Sequence, residues 1–424
     1  MSQRSDSVQE DGETTAVTAA ESDTQKTTEP DTQKTTEPDT QTATDAETDL
    51  STTHVCFICP YIYGYLKPGS RKTVGGAERQ QHLIATQLQE AGAAVSFITF
   101  DDDGQRHEQI DGFDVWKTLP PTNSVRRAPT VLYKLLRSIR RVDADVYYVR
   151  GNPPLCILTS YCCELLGASV VYCVANDSNI ELARLSNHHS MFRYTIPKLA
   201  YVDAIRRADA VVAQTEYQQQ LLDRVFGIDS AVVPNVYAVP PDEELVAAVD
   251  REFVLWVGSL DPDQKKPMRF VRLAEQLPEI EFVMIGWTPD EAFRTEIRER
   301  ADTLSNLRFE GFVPPDEIDR YYRRAALFVN TSDYEGFPNT FLEAWRFAVP
   351  VVSLHHTLDG LLSAGEVGLH AGSVETLVDQ VEQLAGDPER AATLGRNGRE
   401  YLREHYSVAV ARETYSRLFA AVSD

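Results

Sequence analysis

The chain has 424 residues, of which 42% are hydrophobic, and at roughly 100–200 residues per domain this length predicts two or three domains. It carries 64 acidic and 41 basic residues, a net charge of −23, which argues against bulk binding of nucleic acid. Only 9 of the 41 basic residues are lysines. An acidic, lysine-poor surface resists salt-induced association and is typical of proteins from salt-rich environments. The six cysteines do not form the pattern of a disulfide-rich secreted protein.

Residues 1–53 form an acidic segment with an internal repeat. They contain 13 acidic and 3 basic residues, and the octad DTQKTTEP occurs at 23–30 and again at 31–38. A segment without aromatic side chains buries too little apolar surface to offset the entropy lost on ordering. We therefore expect a disordered, solvating tail.

The composition indicates no targeting or membrane segment. The N-terminal residues lack the apolar core of a signal peptide. The longest apolar stretch, 154–174, is interrupted by Glu164 and Gly167, whereas a membrane span needs about 20 consecutive apolar residues. We expect a cytoplasmic protein.

From residue 54 onward, short apolar runs alternate with amphipathic stretches, which predicts parallel sheets joined by helices in right-handed crossovers. In the first half, strands are predicted at Val55–Cys59, Val95–Thr99, Val146–Val149, Val170–Val174, Ala210–Ala213 and Ala231–Val233. Helices are predicted between them at Ala77–Glu90, Thr130–Arg141, Leu155–Leu166, Leu199–Arg207 and Tyr217–Phe226.

A second alternating series occupies the rest of the chain. Its strands are predicted at Phe253–Val257, Phe282–Ile285, Leu307–Phe309, Leu327–Asn330 and Val349–Ser353. Its helices are predicted at Pro267–Gln276, Asp290–Ala301, Asp316–Arg324, Thr340–Phe347, Val374–Leu384, Glu389–Glu404 and Val408–Val422.

Two such series predict an α/β protein with two Rossmann-like domains that face a cleft. Ligands of open α/β sheets bind beyond the carboxyl ends of the strands, so strand-to-helix loops would form both walls of that cleft. We expect an N-terminal domain at 54–235, a linker at 236–251, a C-terminal domain at 252–405 and a final helix at 406–424. This helix is expected to pack back toward the N-terminal domain.

The most informative segment, residues 330–345, reads NTSDYEGFPNTFLEAW. A helix is predicted to begin near Thr340, and its free backbone amides would bind an anion. Glu335 and Glu343 flank this helix start, an arrangement that suits a sugar attached to a nucleoside diphosphate: amides would bind the phosphates and carboxylates the hydroxyls. Thr340-x-x-Glu343 also fits a capping box, in which Glu343 would only satisfy a backbone N–H.

Glu335-x7-Glu343, followed by the segment AVPVV at 348–352, resembles the donor-site signature of family 4 glycosyltransferases, the glycosyl transferases group 1. The resemblance covers residues 54–424 and is strongest over 327–353. It implies the GT-B architecture and sugar transfer that retains the anomeric configuration. It also implies no metal and no cofactor, with a nucleotide-diphosphate sugar as co-substrate.

The same resemblance implies roles for individual residues. Glu335 would hold hydroxyls of the donor sugar, and Glu343 would bind the ribose. The backbone that would receive the diphosphate and the sugar comprises Gly336, Phe337, Pro338, Asn339 and Thr340.

A glycine pair in the first half fits the same family. Gly75 and Gly76 precede the helix predicted at Ala77–Glu90. In the family such a loop closes onto the donor phosphate and sugar, and glycine permits the close approach.

A third match follows the strand Phe253–Val257. Gly258-Ser259 is followed by Lys265 and Lys266, and a lysine at a strand-to-helix loop can hold a diphosphate as a point charge. Lys265 fits the family pattern best, with Lys266 as the alternative. The family often has an arginine where this chain has Ser259, which leaves the clamp one charge short unless Lys266 compensates.

The loop after the strand Val170–Val174 departs from the family, in which many members have a histidine near the reacting sugar. Ala175 lies nearest that position. Asp177 could instead accept the proton of the acceptor hydroxyl, although capping a helix start is an equally good interpretation of this residue.

Residues 115–142 carry seven basic side chains and no acidic one. They also contain an apolar stripe at helical spacing, and a basic amphipathic helix can lie on an anionic membrane. Relatives that act on lipid-linked acceptors use the N-terminal domain in this way. The alternative is a helix whose apolar side packs in the core. The candidate acceptor or membrane contacts are Arg126, Arg127, Lys134, Arg137, Arg140 and Arg141.

These features together predict a retaining, metal-independent glycosyltransferase with Glu335, Lys265 and Asp177 at its reaction centre. The donor would be a nucleotide sugar, and the acceptor a lipid-linked saccharide or another cell-surface glycan precursor, at the inner face of the membrane. Two alternatives remain. One is a non-catalytic GT-B scaffold that binds nucleotide sugar or a partner, and the other is a GT-B sugar-nucleotide epimerase.

Overall fold

A computed structural model describes residues 50–67, 76–100, 106–120, 128–180, 198–315 and 317–423. Residues 1–49 of the predicted tail lie outside the described residues, as do Gly75, Arg126 and Arg127. Residues 50–53 are described, and Leu50 is fully buried in the N-terminal core, so the prediction of a disordered tail up to residue 53 is wrong at this end. The described chain contains two sheets, each with helices packed around it.

The first sheet has eight strands in the order β3-β4-β2-β1-β5-β6-β7-β8. All neighbouring strands are parallel except β3, which is antiparallel to β4. In chain order, β1 to β8 are His54–Ile58, Ala94–Phe100, His107–Ile110, Phe113–Leu119, Val146–Arg150, Ser169–Cys173, Ala210–Ala213 and Ala231–Val232. The helices α1 to α6 are Ile62–Leu66, Gly76–Glu90, Ala128–Val142, Pro153–Leu166, Lys198–Arg206 and Glu216–Phe226.

The second sheet has six parallel strands in the order β11-β10-β9-β12-β13-β14. The strands β9 to β14 are Phe253–Ser259, Phe282–Trp287, Leu307–Gly311, Ala325–Asn330, Val351–Ser353 and Gly368–His370. The helices α7 to α13 are Pro267–Gln276, Glu291–Asp302, Asp319–Arg324, Asn339–Arg346, Val374–Ala385, Pro388–His405 and Val408–Ser423. These two series confirm the predicted α/β class with two Rossmann-like domains.

The structure adds elements that the sequence pattern did not predict. The strands β3 and β4 form a hairpin whose turn, Asp111-Gly112, has φ of +52° and +84°. Asp-Gly between alternating apolar and polar residues is a signal for such a turn, so this hairpin was predictable. The short helix α1 and the edge strand β14 were also missed, because three to five residues carry too little periodicity.

The chain crosses between the domains twice, at residues around 236 and 406. Tyr237 donates its backbone N–H to the Tyr406 carbonyl at 3.1 Å and forms a parallel bridge with Ser407. After the second crossing, α13 packs on the first sheet, where Tyr415 and Phe419 join the buried cluster that contains Phe57 and Tyr148. The last helix therefore belongs to the N-terminal domain in packing, although it ends the chain.

Several helices begin with a side-chain cap, and one at the cleft does not. Asn152, Thr215 and Asp290 each accept a hydrogen bond from a first-turn backbone N–H, at the starts of α4, α6 and α8. The helix α10 begins after Pro338 without a side-chain cap. Its first-turn amides therefore have no side chain of their own helix start as a partner.

Candidate active site

Two cavities lie where residues that follow the strands of both sheets face each other. The larger cavity has a volume of about 620 Å³ and the smaller one about 360 Å³. Glu335 lines both of them. The loop between β12 and α10 thus forms the wall that the two cavities share.

The larger cavity contains most of the residues predicted for donor binding. Its walls include Gly76, Gly258, Lys265, Glu335, Phe337, Pro338, Asn339, Thr340 and Glu343. Gly336 and Asp177 line the smaller cavity instead. The structure therefore brings together loops that are more than 250 residues apart in the chain.

The Glu335 carboxylate is held by three neighbours from the loops after β9 and β12. Lys265 Nζ lies 2.7 Å from Oε1 and 2.6 Å from Oε2. Ser332 and Asn330 donate to Oε1 at 2.6 and 3.0 Å. Each carboxylate oxygen has about two acceptor positions, and Oε2 accepts from Lys265 alone among these neighbours, so it retains one position for a hydroxyl.

Glu335 stays ionised in this setting. Burial alone would raise the pKa of Glu335, because only 4% of the residue is exposed. The charge of Lys265 and the hydrogen bonds from Lys265, Ser332 and Asn330 outweigh that effect and lower the pKa below its usual value. The site thus offers a fixed, negatively charged acceptor.

Glu343 is anchored by side chains and does not form the capping box. Its Oε1 accepts from Arg79 Nη1 at 3.1 Å and from the Tyr237 hydroxyl at 2.9 Å, and Oε2 accepts from the Tyr322 hydroxyl at 2.9 Å. The helix begins at Asn339, so Thr340 is not its cap. Three of about four acceptor positions are filled, which leaves one on Oε2 for a ligand.

Sequence reasoning missed Arg79, which contributes a cation from the opposite wall. It lies in the first turn of α2, lines the larger cavity and stacks 4.7 Å from the centroid of the Tyr237 ring. Its position directly after the GGAE segment at 75–78 was the available signal.

Lys266, the alternative to Lys265 in the predicted diphosphate clamp, does not line either cavity. It precedes α7 with φ of +50° and directs Nζ toward Asp333 at 3.5 Å. Among the described residues that line the two cavities, Lys265 is present and Lys266 is absent. Adjacent residues on a turning backbone point in different directions, and only one of the two lysines reaches the cleft.

Two glycines allow the domains to approach each other closely. A Cβ atom added at Gly336 would lie 2.7 Å from the Ala175 carbonyl oxygen and 2.7 Å from Asn176 Cα. One added at Gly76 would lie 2.7 Å from Asn339 Nδ2. Since real Cβ atoms do not approach backbone so closely, a side chain at Gly336 would push the walls of the cleft apart, whereas one at Gly76 would displace the end of the Asn339 side chain.

The smaller cavity combines Asp177 with a histidine that sequence reasoning missed. Asp177 begins a short 3₁₀ helix and accepts a hydrogen bond from Gln218 Nε2 at 3.0 Å. His356 accepts from the Leu358 backbone N–H through Nδ1 at 3.1 Å, so its proton resides on Nε2. Burial lowers the pKa of His356 to about 4, and the ring is neutral at pH 7.

The predicted basic helix, α3, packs one side in the core and exposes the other. Leu135 and Ile139 are buried in the core of the N-terminal domain, whereas Arg137, Arg140 and Arg141 are exposed and Lys134 is half-buried. Lys117, counted in the same basic segment, lies in β4, fully buried, with Nζ 2.6 Å from a Glu108 oxygen. The basic surface is therefore smaller than the sequence suggested.

The described residues contain no cluster of three or more His, Cys, Asp or Glu side chains that could hold a metal ion. No helix in the described part of the chain is long and apolar enough to cross a membrane.

Family comparisons match both halves of the chain. Residues 74–238 match the profile described as Glycosyltransferase Family 4, and residues 251–387 match Glycosyl transferases group 1. The chain belongs to the family 4 glycosyltransferases. The resemblance first seen in residues 327–353 thus extends to both walls of the cleft.

Solved structures confirm the GT-B architecture of this glycosyltransferase. The sucrose-phosphate synthase of Thermosynechococcus elongatus superposes with a TM-score of 0.71 at 18% identity, over 87% of this chain and 100% of that one. The Anabaena protein HepE, in complex with UDP and glucose, gives a TM-score of 0.67 at 15% identity, over 87% and 100% of the two chains.

The sequence relatives include proteins named for different products. The 2-deoxystreptamine N-acetyl-D-glucosaminyltransferase of Streptomyces fradiae is 24% identical over 400 residues, 81% of this chain and 93% of that protein. The alpha-monoglucosyldiacylglycerol synthase of Acholeplasma laidlawii is 26% identical over 143 residues. That match spans 32% of this chain and about a third, 36%, of the synthase.

Proposed function

We propose that this glycosyltransferase moves a sugar from a nucleoside diphosphate to a lipid-linked or other cell-surface glycan precursor. The transfer retains the anomeric configuration, needs no metal, and takes place in the cytoplasm at the membrane surface. The main support for this proposal is that Glu335 and Glu343 lie on the wall of one cavity, on either side of the start of α10, which has no side-chain cap.

The larger cavity suits the parts of a nucleotide sugar. Ile285, Phe312, Val313 and Ile318 supply an apolar wall for a base. The open acceptor position of Glu343 fits a ribose hydroxyl, and the start of α10 fits the diphosphate. Glu335 then accepts a hydrogen bond from a hydroxyl of the sugar, at the boundary between the two cavities.

Cations on both walls would stabilise the leaving diphosphate. An ammonium has three donors; Lys265 uses two on Glu335 and has one left for a phosphate oxygen. Arg79 uses one of its five donors on Glu343 and supplies the charge that Ser259 does not. Fixed donors at the site of developing charge are the main source of catalysis in such a reaction, and Glu335 orients the sugar.

The smaller cavity is the proposed acceptor side. It meets the larger one at Glu335, so an acceptor there would reach the sugar while the diphosphate lies in the other cavity. Asp177 is the proposed proton acceptor, and Nε2–H of His356 the proposed donor to an acceptor oxygen. Closure of the domains, for which Gly76 and Gly336 leave room, would exclude water from the reacting sugar.

A face of the N-terminal domain suits an anionic membrane. Tyr133 is 62% exposed on α3, one helical turn from Arg137, and Leu165 of α4 and Leu199 of α5 are 73% and 87% exposed. These helices are neighbours, since α4 packs against both α3 and α5. Apolar anchors among Arg137 and Arg140 are what a peripheral membrane protein presents.

A two-stage experiment tests the proposal. Thermal shift in high salt with UDP-, GDP-, ADP- and dTDP-sugars identifies the donor, and the purified protein is then incubated with that donor and a crude lipid extract, with and without EDTA. We expect a glycosylated lipid in both cases and a retained anomeric configuration. Donor binding without transfer to any acceptor would favour the scaffold, and conversion of the donor without an acceptor would favour the epimerase.

A further inference from the structure

A buried arginine lies at the end of a central strand, and no carboxylate in the described part of the chain pairs with it. Arg150 is the last residue of β5 and is 8% exposed. Its Nη2 donates to Asn235 Oδ1 at 2.6 Å, while Nε and Nη1 have no hydrogen-bond acceptor among the described residues. Burying an unpaired charge costs free energy of folding. Packing alone does not explain why a cation occupies this position.

The charges that line the donor cavity cancel in pairs. Arg79 lies against Glu343 and Lys265 against Glu335, and Glu78 adds a further carboxylate to the wall. A diphosphate in this cavity would therefore gain from positive charge beyond these two pairs, from the helix starts of α2 and α10 and from cations behind the wall. Arg150 is such a cation.

Arg150 is linked to the start of α10 through one side chain. Asn235, which follows β8 and is buried, accepts from Arg150 and donates through Nδ2 to Asn339 Oδ1 at 2.7 Å. Asn339 is the first residue of α10 and belongs to the other domain. The chain of hydrogen bonds thus crosses the cleft from a buried cation to the proposed diphosphate site.

The direction of these hydrogen bonds is determined at both ends. An arginine only donates, so Asn235 must turn Oδ1 toward Arg150 and Nδ2 toward Asn339. A second branch agrees, since Asn235 Nδ2 also lies 3.4 Å from Gln214 Oε1, and Gln214 Nε2 donates to the Val174 carbonyl, which only accepts. Asn339 must then present Oδ1 to Asn235 and direct Nδ2 into the gap beside Gly76.

We propose that Arg150 and Asn235 are positioning residues that hold the Asn339 side-chain amide as an N–H donor to the diphosphate of the donor nucleotide. Asn339 makes the contact, and the other two determine which of its atoms faces the ligand. This inference rests on the proposed function, because it assumes that a nucleoside diphosphate occupies the larger cavity.

The substitution Asn235→Asp tests this proposal because it preserves the shape of the side chain and replaces the Nδ2 donor with an oxygen acceptor. The introduced carboxylate would pair with Arg150 but lose the contact with Gln214 Oε1, so we expect thermal stability close to that of the wild type. A carboxylate has no donor for Asn339, whose amide would flip and turn Oδ1 toward the diphosphate. Loss of one hydrogen bond to a charged group predicts an affinity for nucleoside diphosphate about tenfold or more below that of the wild type.

A double-mutant cycle separates this mechanism from simple repulsion by the new carboxylate. The probe is whichever of UDP, GDP, ADP and dTDP binds the wild type most tightly in calorimetry. Asn339→Ala alone is expected to lower affinity about tenfold, and Asn235→Asp is expected to have no further effect in the Asn339→Ala background. An equal loss in both backgrounds would show plain repulsion and overturn the proposal.

Two further outcomes are decisive. Wild-type affinity in Asn339→Ala would overturn the inference by itself, and this variant is independent of whether Asn235→Asp folds. Wild-type protein that binds none of the four nucleotides would instead overturn the proposed function, and the inference with it.

Discussion

Lys265 and Glu335 form a two-point contact in the cleft, with Lys265 Nζ 2.7 and 2.6 Å from the two oxygens of the carboxylate. The two residues are 70 positions apart in the chain and meet because β9 and β12 are neighbours in the second sheet. Their roles are coupled, since Lys265 helps to keep the Glu335 carboxylate ionised and each residue orients the other. A substitution at one position therefore changes the stability of the site as well as its chemistry.

Removing the lysine alone is expected to destabilise the protein. Lys265→Met would leave the buried Glu335 carboxylate with only Ser332 and Asn330, and breaking a buried ion pair in this way costs about 3–5 kcal/mol. Glu335→Gln should cost less, because the Lys265 side chain is 21% exposed and can turn to water. The double variant should recover part of the stability lost by Lys265→Met while remaining inactive. Urea denaturation and a transfer assay measure both quantities, and a double variant less stable than Lys265→Met would contradict this account.

His356 gives the protein an acid-sensitive site. Its pKa is lowered by burial to about 4 in the folded protein, against about 6.5 in an unfolded chain. The unfolded state therefore binds a proton between pH 6.5 and 4 while the folded state does not, and stability is lost as the pH falls through this window. The full loss is about 3 kcal/mol.

The substitution His356→Asn should remove this sensitivity, because asparagine retains an acceptor for the Leu358 N–H and does not titrate. Free energies of unfolding at pH 7 and pH 5 measure the effect. His405→Asn, at an exposed position, serves as the control and should follow the wild type. Parallel pH profiles for wild type and His356→Asn would show that the histidine does not carry the effect.

Gly336→Ala is expected to lower turnover by holding the domains apart. Its Cβ would collide with the backbone of Ala175 and Asn176, and backbone cannot move aside as a flexible side chain can. Overpacking of this kind costs about 1–3 kcal/mol, and the reacting groups would be displaced from each other. Gly386→Ala is the matched control, because its Cβ would lie 3.5 Å from the nearest atom at an ordinary φ of −83°. Equal kcat values for the two variants would refute the close approach.

Arg79→Gln should weaken donor binding and also lower turnover, because the proposed role of this cation includes stabilising charge that develops on the leaving diphosphate. Glu343 would keep the Tyr237 and Tyr322 hydroxyls, so the ribose site should persist. Loss of a cation that contacts the diphosphate should raise KM for the donor about tenfold. Arg272→Gln, on the exposed side of α7, is the control, and an unchanged donor KM in Arg79→Gln would remove Arg79 from the phosphate site.

Liposome flotation tests the membrane surface. Wild-type protein at moderate salt should float with vesicles that contain anionic lipid and remain behind with neutral vesicles. The variant Arg137→Gln/Arg140→Gln should bind the anionic vesicles less strongly, since each basic residue contributes about 1 kcal/mol near such a surface. Arg272→Gln/Arg396→Gln removes the same charge from the C-terminal domain and should behave as wild type. Absence of wild-type binding would end the membrane proposal.

The sequence predicted the fold more completely than it predicted the contacts within the site. The alternation of apolar runs and amphipathic helices identified nearly every long element, because those patterns arise from local periodicity. The loop at 330–345 was identified for the same reason, since its two glutamates and its helix start are adjacent in sequence. The capping-box alternative for Glu343 was wrong, because the hydroxyls of Tyr237 and Tyr322 approach it from distant segments.

Residues that act across the cleft could not be found in this way. Arg79 had only its position after the GGAE segment as a signal, and Asn235 and His356 carry no motif of their own. Each gains its significance from a neighbour in the other domain or in a distant loop. Which of Lys265 and Lys266 enters the cleft depended on a single backbone turn at φ +50°.

The sequence by itself determined the two-sheet architecture, the helix start that is proposed to bind an anion and the two carboxylates beside it, because short-range periodicity and adjacent residues encode all three. Only the tertiary structure decided which charges pair, which glycines face opposing backbone and where a buried arginine directs its hydrogen bonds. These relationships depend on the packing of one domain against another. Local sequence patterns do not specify distances between residues of different domains.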